Sequence, residues 1–271
     1  MIKFSPTLTL QYDTAFSPFT AAQFDEGLQW AKDSGFDGVE VCISNYNGVD
    51  IPALKAKLDA LQLGCSTIST GQARTLEKIA LLSDPVAVER TQQRFYQHID
   101  AAAVLGSKVT MGLLRGLGVP ENQEAQKKLL AEQMKPIVEY ADKKGVTVIF
   151  EGINRYETAL LCSAAEAAEF VRVYLGNPDC VGVLWDVFHA NIEDPSMESA
   201  IVVIGDKLKH VHFADSNRWF PGYGHIDFAG VYKMLKARGY SEYCSFECNN
   251  LPSVEAVRTN AGAFIRNLRA L

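Results

Sequence analysis

Along the chain, short runs of β-branched and apolar residues alternate with longer stretches in which apolar positions recur every three or four residues. Short apolar runs bounded by turn residues read as buried strands, and the 3.6-residue beat reads as amphipathic helix. The pattern predicts eight strands, over Phe4–Leu10, Gly38–Ile43, Gly64–Ser69, Lys108–Leu114, Val146–Glu151, Val181–Asp186, Leu208–Ala214 and Tyr243–Glu247. A helical pattern follows each, near residues 20–34, 51–61, 85–105, 121–144, 163–175, 196–204, 228–238 and 253–270. Thr20, Asp84, Ser163 and Ser253 stand where N-caps are expected. Glycine turns at SGFDG (34–38), LGS (105–107), KKGV (143–146) and ARGY (237–240) supply the left-handed residue that a helix-to-strand reversal needs.

Strict alternation leaves a closed barrel or a doubly wound open sheet. An open dinucleotide-binding sheet should carry glycines between its first strand and helix, yet the first turn, QYDTAFSPFT, has none. The predicted fold is therefore α/β, a single (β/α)8 TIM barrel over residues 1–271, with no linker, low-complexity tract or charge block to divide it. On this fold, chemistry sits at the C-terminal ends of the strands and in the loops after them.

Predicted strands five to eight end on Glu151, Asp186, His212 and Glu247, with separations of 35, 26 and 35 residues, each near one strand–helix repeat. All four are thereby placed on one rim. A single carboxylate at a strand end is ordinarily a solvated loop residue. Carboxylates closing three otherwise apolar strands (VTVIFE, CVGVLWD, YCSFE) carry a desolvation cost unless paired or metal-bound. Three carboxylates and one imidazole suit Mn2+, Mg2+ or Co2+ better than structural zinc, which prefers sulfur and nitrogen. One divalent metal, with Mn2+ favoured, is the expected cofactor. In KHVHFAD (209–215), His210 and His212 share a strand face, so His212 is assigned to the metal and His210, one layer deeper, to a buried hydrogen-bonding role.

Composition narrows the partners. A net charge of −6 without a basic stripe lacks the electrostatic footprint of nucleic-acid binding. The start MIKFSPTLTL is not a signal peptide, and no stretch of about 18 apolar residues offers a membrane span, so a cytoplasmic protein is expected. Six scattered cysteines form no C-x-x-C pair and are expected to be reduced and structural.

The motifs EGINRYE (151–157), WDVFHANIEDPS (185–196) and HVHFADSNRWFPGYGHIDF (210–228), taken in order, resemble the sugar isomerase/epimerase family of xylose-isomerase-like barrels, particularly its D-tagatose 3-epimerase and D-allulose 3-epimerase branch. The resemblance places Glu151, Asp186, His212 and Glu247 on the family's metal ligands. It also puts Glu157, His189 and Arg218 on positions that handle substrate. STISTGQ (66–72) and GLLRG (112–116) resemble early rim segments of some members, which adds Gln72 and Arg115 as substrate contacts. Gly152, Trp185 and the Cys248-Asn249-Asn250 run depart from the common pattern and bear on the substrate rather than the metal.

The expected activity is metal-dependent epimerisation or isomerisation of a small sugar, most specifically 3-epimerisation of a ketose or keto-sugar. A proton alpha to a carbonyl moves through an enediolate, with Glu151 and Glu247 as the acid/base pair. His189 and Arg218 are expected to donate to substrate oxygens, and Glu157 to orient His189 or a hydroxyl. Trp219 and Phe220 would offer aromatic faces to a sugar ring, Trp185 would either offer another or pack in the core, and PGYGHID (221–227) reads as a glycine-punctuated rim loop able to cover it. A free sugar is expected, although Arg218, Arg115 and Arg74 together would make an anion site. A keto-sugar dehydratase or lyase and a hydroxypyruvate-type aldose–ketose isomerase are the alternatives on the same residues. A multi-metal nuclease on this fold needs more histidines than the five present and a basic groove. Homo-oligomer formation is left open by the sequence.

Overall fold

A computed structural model describes residues 1–271. Eight strands, β1 (Lys3–Thr9), β2 (Gly38–Cys42), β3 (Gly64–Ser69), β4 (Lys108–Met111), β5 (Val148–Glu151), β6 (Val181–Asp186), β7 (Leu208–His212) and β8 (Tyr243–Phe246), pair in sequence order. All pairings are parallel, and β8 returns to β1, so the sheet closes into the expected (β/α)8 barrel. Around it run α1 (Phe24–Asp33), α2 (Ile51–Ala60), α3 (Gly71–Glu77), α4 (Pro85–Leu105), α5 (Gln123–Lys144), α6 (Ala164–Glu169), α7 (Val187–Glu193), α8 (Met197–Ile204), α9 (Phe228–Ala237) and α10 (Val254–Arg269). No helix is long and apolar enough to cross a membrane.

Local chemistry fixes these boundaries. Asp84 accepts from the N–H groups of Val86 and Ala87 to open α4, and Ser253 accepts from Ala256 to open α10. Ser163 and Glu166 form a reciprocal capping box at α6. Thr20 is the N-cap of the 3-10 turn Ala21–Gln23 that leads into α1, with its backbone N–H and its hydroxyl both turned to the Gln23 side chain. Gly106 and Gly145 end the two longest helices at φ 67° and 65°, the left-handed geometry that spares glycine a Cβ clash.

Several predicted strands overran by one to three residues, because the ladder ends before the apolar run does. The LLR of GLLRG forms a 3-10 segment, Leu113–Arg115, and Glu247 lies one residue past the end of β8. The 163–175 helix is α6 continued by a π turn over Phe170–Tyr174. Two seven-residue helices, α3 and α7, were not anticipated, since two turns are too few for a helical period to declare itself. His189 accordingly lies on α7, in a stretch for which the sequence predicted no helix.

Parallel strands covered by helices are buried on both faces, which accounts for their near-continuous apolar runs. Alternation sends Val39, Val41, Val148, Phe150, Val183 and Val211 outward into the core beneath the helices. The opposite face carries Glu40, Glu151, Asp186, His210, His212 and Ser245 into the barrel, all of them buried. All six cysteines are unpaired.

On α4, His98 is fully buried, with its Nδ1 2.8 Å from the Tyr46 hydroxyl and its Nε2 without a partner. Burial, reinforced by the Arg94 charge, pushes its pKa down to about 3. The unfolded chain takes up this proton near the ordinary histidine value of about 6.5. The stability it contributes is therefore present above pH 6.5 and is lost as the pH falls from there toward 3. Between pH 6 and 4 the wild type should lose unfolding free energy faster than His98→Gln, by about 1.4 kcal/mol per pH unit at most, in urea titrations. Parallel pH profiles would contradict this.

Candidate active site

The four strand-end residues meet at the mouth of the barrel. Asp186 ends β6 and also caps α7, its Oδ1 accepting from the N–H groups of Phe188 (2.7 Å) and His189 (3.3 Å). The helix start fixes the carboxylate and leaves Oδ2 buried without a partner, 3.7 Å from His212 Nδ1. Glu151 brings Oε1 to 3.7 Å and Glu247 brings Oε2 to 3.5 Å from the same nitrogen. Gly112 makes room for Glu151, because a Cβ there would stand 3.1 Å from Glu151 Oε2. Gly152 has a local cause as well: a Cβ would lie 3.2 Å from the Ser163 carbonyl oxygen, where the chain passes close.

His212 Nε2 lies 3.2 Å from Glu40 Oε2, and a carboxylate only accepts, so Nε2 carries a proton and Nδ1 points its lone pair into the space between the three carboxylates. One ligand atom from each of Glu151, Asp186, His212 and Glu247 falls within 4.8 Å of the others. Burial opposes a charged imidazole, yet Glu40 and Glu247 outweigh it and raise the proton affinity of His212 well above that of ordinary histidine. Burial likewise raises Glu151, where it is the leading cause. The orphaned Nδ1 and Oδ2, set among negative charge, fit a hard divalent cation, and these four residues could hold one.

Beside them, His189 places Nε2 3.8 Å from both Glu151 Oε1 and Asp186 Oδ2. Asn154 sets its tautomer. The Asn154 Oδ1 accepts from the Tyr156 N–H, so its Nδ2 donates to Glu157 Oε1 (3.0 Å) and to His189 Nδ1 (2.7 Å). The proton of His189 is thereby held on Nε2, on the carboxylate side. Arg218 donates to Glu157 Oε1 at 2.8 Å and reaches Glu247 Oε2 at 3.4 Å, with its guanidinium over the Phe16 and Phe188 rings. Its backbone takes φ 59°, a left-handed conformation costing about 1 kcal/mol or more for a side chain of this size.

A cavity of about 340 Å³ opens beside these groups. Glu151, Glu157, His189, Arg218, Glu247 and Gln72 are all on its wall, and Gln72 is tied by a 2.6 Å bond from its Nε2 to the Tyr12 carbonyl. Arg115 is not. It is fully buried and spends its guanidinium on the carbonyl oxygens of Gly112, Glu151, Leu160 and Leu161. Arg74 lines a separate groove on the far side of Thr75. The proposed three-arginine anion site is thus not assembled.

The aromatic wall comes from Tyr12 and Phe16 in the loop after β1, not from the tryptophans. Trp185 is buried in the core and Phe220 stacks on Phe246. Neither Trp219 nor any residue of 221–227 lines the cavity. That loop is knitted down by the Asp215 carboxylate, which accepts from the N–H groups of Ser216, Gly222 and Ile226. Glu40 and Asn154 were missed by the sequence reading. Glu40 had a signal, as a lone carboxylate amid the apolar residues of GVEVC. Asn154 sat unremarked inside EGINRYE.

The fold and the rim cluster define a (β/α)8 barrel with acidic and histidine groups that could bind a metal at the C-terminal ends of its strands. The chain belongs to the xylose isomerase-like TIM barrel family, whose model matches residues 28–268. It is 28% identical over 263 residues to an L-ribulose 3-epimerase of Mesorhizobium japonicum, covering 92% of this chain and 83% of that protein. A 3-dehydro-D-guloside 4-epimerase of Escherichia coli is 26% identical over 239 residues, covering 82% and 86%. Among solved structures, an L-ribulose 3-epimerase superposes with a TM-score of 0.80 at 27% identity, covering 100% of this chain and 93% of that one. A D-allulose 3-epimerase from Methylomonas sp. in complex with D-allulose shares the fold with a TM-score of 0.81 at 21% identity, covering 98% and 96%.

Four carbonyl oxygens depend on Arg115, so its replacement should act on stability. Arg115→Met is expected to cost about 3 kcal/mol of unfolding free energy or more, measured by denaturant titration, with the KM for sugar within about twofold of wild type. Unchanged stability with a raised KM would return Arg115 to the substrate site.

Proposed function

We propose that the protein is a divalent-metal-dependent sugar epimerase acting next to a carbonyl, most specifically a ketose or keto-sugar 3-epimerase that uses Mn2+, with Mg2+ or Co2+ as substitutes. The observation that carries this reading is the convergence of Glu151, Asp186, Glu247 and the His212 lone pair beside a cavity walled by His189 and Arg218. The named 3-epimerases and the 4-epimerase among its relatives share one step, inversion at a carbon beside a carbonyl, and the site has the groups for that step.

A bound cation would supply Lewis-acid stabilisation of the negative charge that develops on substrate oxygens. The remaining work falls to side chains. Glu151 ends β5 and Glu247 follows β8, three strands further round the barrel, so the two carboxylates can address different faces of a sugar. One removes the proton and the other returns one on the opposite face. Burial raises the Glu151 pKa, which brings it closer to that of the proton it exchanges. His189, with Nε2–H held outward by Asn154, donates to a substrate oxygen. Glu157 aligns both Asn154 and Arg218.

Arg218 is already matched by two carboxylates, and no second cation lines the cavity, which favours a free sugar over a sugar phosphate.

The test is solvent exchange. In deuterated buffer with a ketose panel, wild type should epimerise and incorporate deuterium at the inverted carbon. Metal-replete Glu247→Gln and Glu151→Gln should each lose epimerisation by about 10^2 or more. Each should still exchange the substrate proton from the face its surviving partner serves. Wild-type epimerisation by metal-replete Glu247→Gln would refute the two-carboxylate mechanism. A leaving group expelled from substrate would instead indicate the lyase.

A further inference from the structure

Deep in the barrel, beneath the four rim residues, lies a carboxylate that the mechanism above does not use. Glu40 is the middle residue of β2, has no solvent exposure, and stands opposite Thr7 in the ladder with β1. It shares its strand face with Cys42, which lines the cavity. The β2–β3 register shifts between Val39 and Val41, around Glu40 itself. Barrel interiors of this fold are ordinarily filled by branched aliphatic residues. An ion buried here carries a large desolvation cost before its partners are counted, and a well-packed aliphatic side chain would carry none.

Its contacts say what it is set to hold. Glu40 Oε2 lies 3.2 Å from His212 Nε2 and 3.2 Å from His210 Nε2. The two imidazoles meet edge to face with centroids 5.3 Å apart. His210 Nε2 is also 2.7 Å from Ser245 Oγ, which lies 2.8 Å from Ser5 Oγ, and Ser5 continues to Ser66 Oγ at 2.9 Å. A hydrogen-bonded chain thus runs from the serines through His210 and Glu40 to His212, and it ends on the buried, unpartnered Nδ1. With Nε2–H directed at Glu40, the ring has one tautomer and one orientation open to it. A carboxylate on the far nitrogen also makes the near one a stronger donor.

We propose that Glu40 is a positioning residue for the metal centre: it fixes the tautomer and ring orientation of His212, and His210 and Ser245 hold it in place to do so. The inference rests on the reading of His212 as a metal ligand. It assigns Glu40 no contact with substrate.

Calorimetric titration of the metal-free full-length protein with Mn2+ alone tests it. Wild type should take up one equivalent. Glu40→Gln should take up one equivalent with Kd weakened about 10- to 100-fold, while the melting temperature of its metal-free form does not fall. At saturating Mn2+, its KM for sugar and its kcat should return to within about threefold of wild type, and with Co2+ its visible absorption band should move even at full occupancy. If Glu40→Gln does not fold, Glu40→Asp, whose carboxylate is withdrawn by one methylene, should show the same loss of affinity. Wild-type Kd in whichever variant folds would overturn the inference and leave the metal centre standing. A second equivalent of Mn2+ in wild type that vanishes in the variant would overturn it too, by making Glu40 a ligand. A wild type that binds no Mn2+ would overturn the metal centre and this inference together.

Discussion

Three carboxylates gathered with one imidazole nitrogen around a single point, their ligand atoms inside 4.8 Å, are the constraint on which the site depends. Two like charges about 4 Å apart repel by about 4 kcal/mol at an effective dielectric near 20. Left uncompensated, three such pairs would rival the whole margin by which a domain is folded, about 5–15 kcal/mol. The cluster therefore calls for positive charge, and the chain places only part of it nearby. Arg218 leans on Glu247, and His189 presents an N–H toward Glu151 and Asp186. A divalent cation bound by all four residues would supply the rest and fix the geometry in one step.

Much around the cluster reads as support for that arrangement. The start of α7 takes one oxygen of Asp186 and leaves the other for the site. Asn154 determines which nitrogen of His189 carries its proton, while Glu157 braces Asn154 and Arg218 together. Glu40 does for His212 what Asn154 does for His189. His189, Arg218 and His212 are each held by an amide or carboxylate that the proposed step does not use. Precision of this kind needs a rigid frame, and a closed barrel with no free strand edge provides one.

The barrel and the rim cluster were legible in the sequence because both repeat with the strand–helix period. Glu151, Asp186, His212 and Glu247 recur at strand ends, so their convergence follows from topology alone. What the sequence hid depends on contacts between repeats. Arg115 looked like a rim cation in GLLRG, but the turn after β4 folds it inward onto carbonyl oxygens of its own and the next loop. Phe220 looked like a sugar platform, yet ring stacking sends it into the core, and strand alternation selects the core for Trp185, for which both places were open. Their place on the wall is taken by Tyr12 and Phe16, from a loop whose path no local pattern specifies. Glu40 was visible as an oddity in GVEVC, but its partners lie 170 and 172 residues away.

The central claim is that the four rim residues share one cation. It is tested most directly by elemental analysis of protein purified with Mn2+ and then dialysed against metal-free buffer, comparing wild type with His212→Ala. The account predicts about one equivalent of metal per chain in wild type and a small fraction of that in the variant, both proteins being folded. Full and equal occupancy in the two, or none in either, would contradict it.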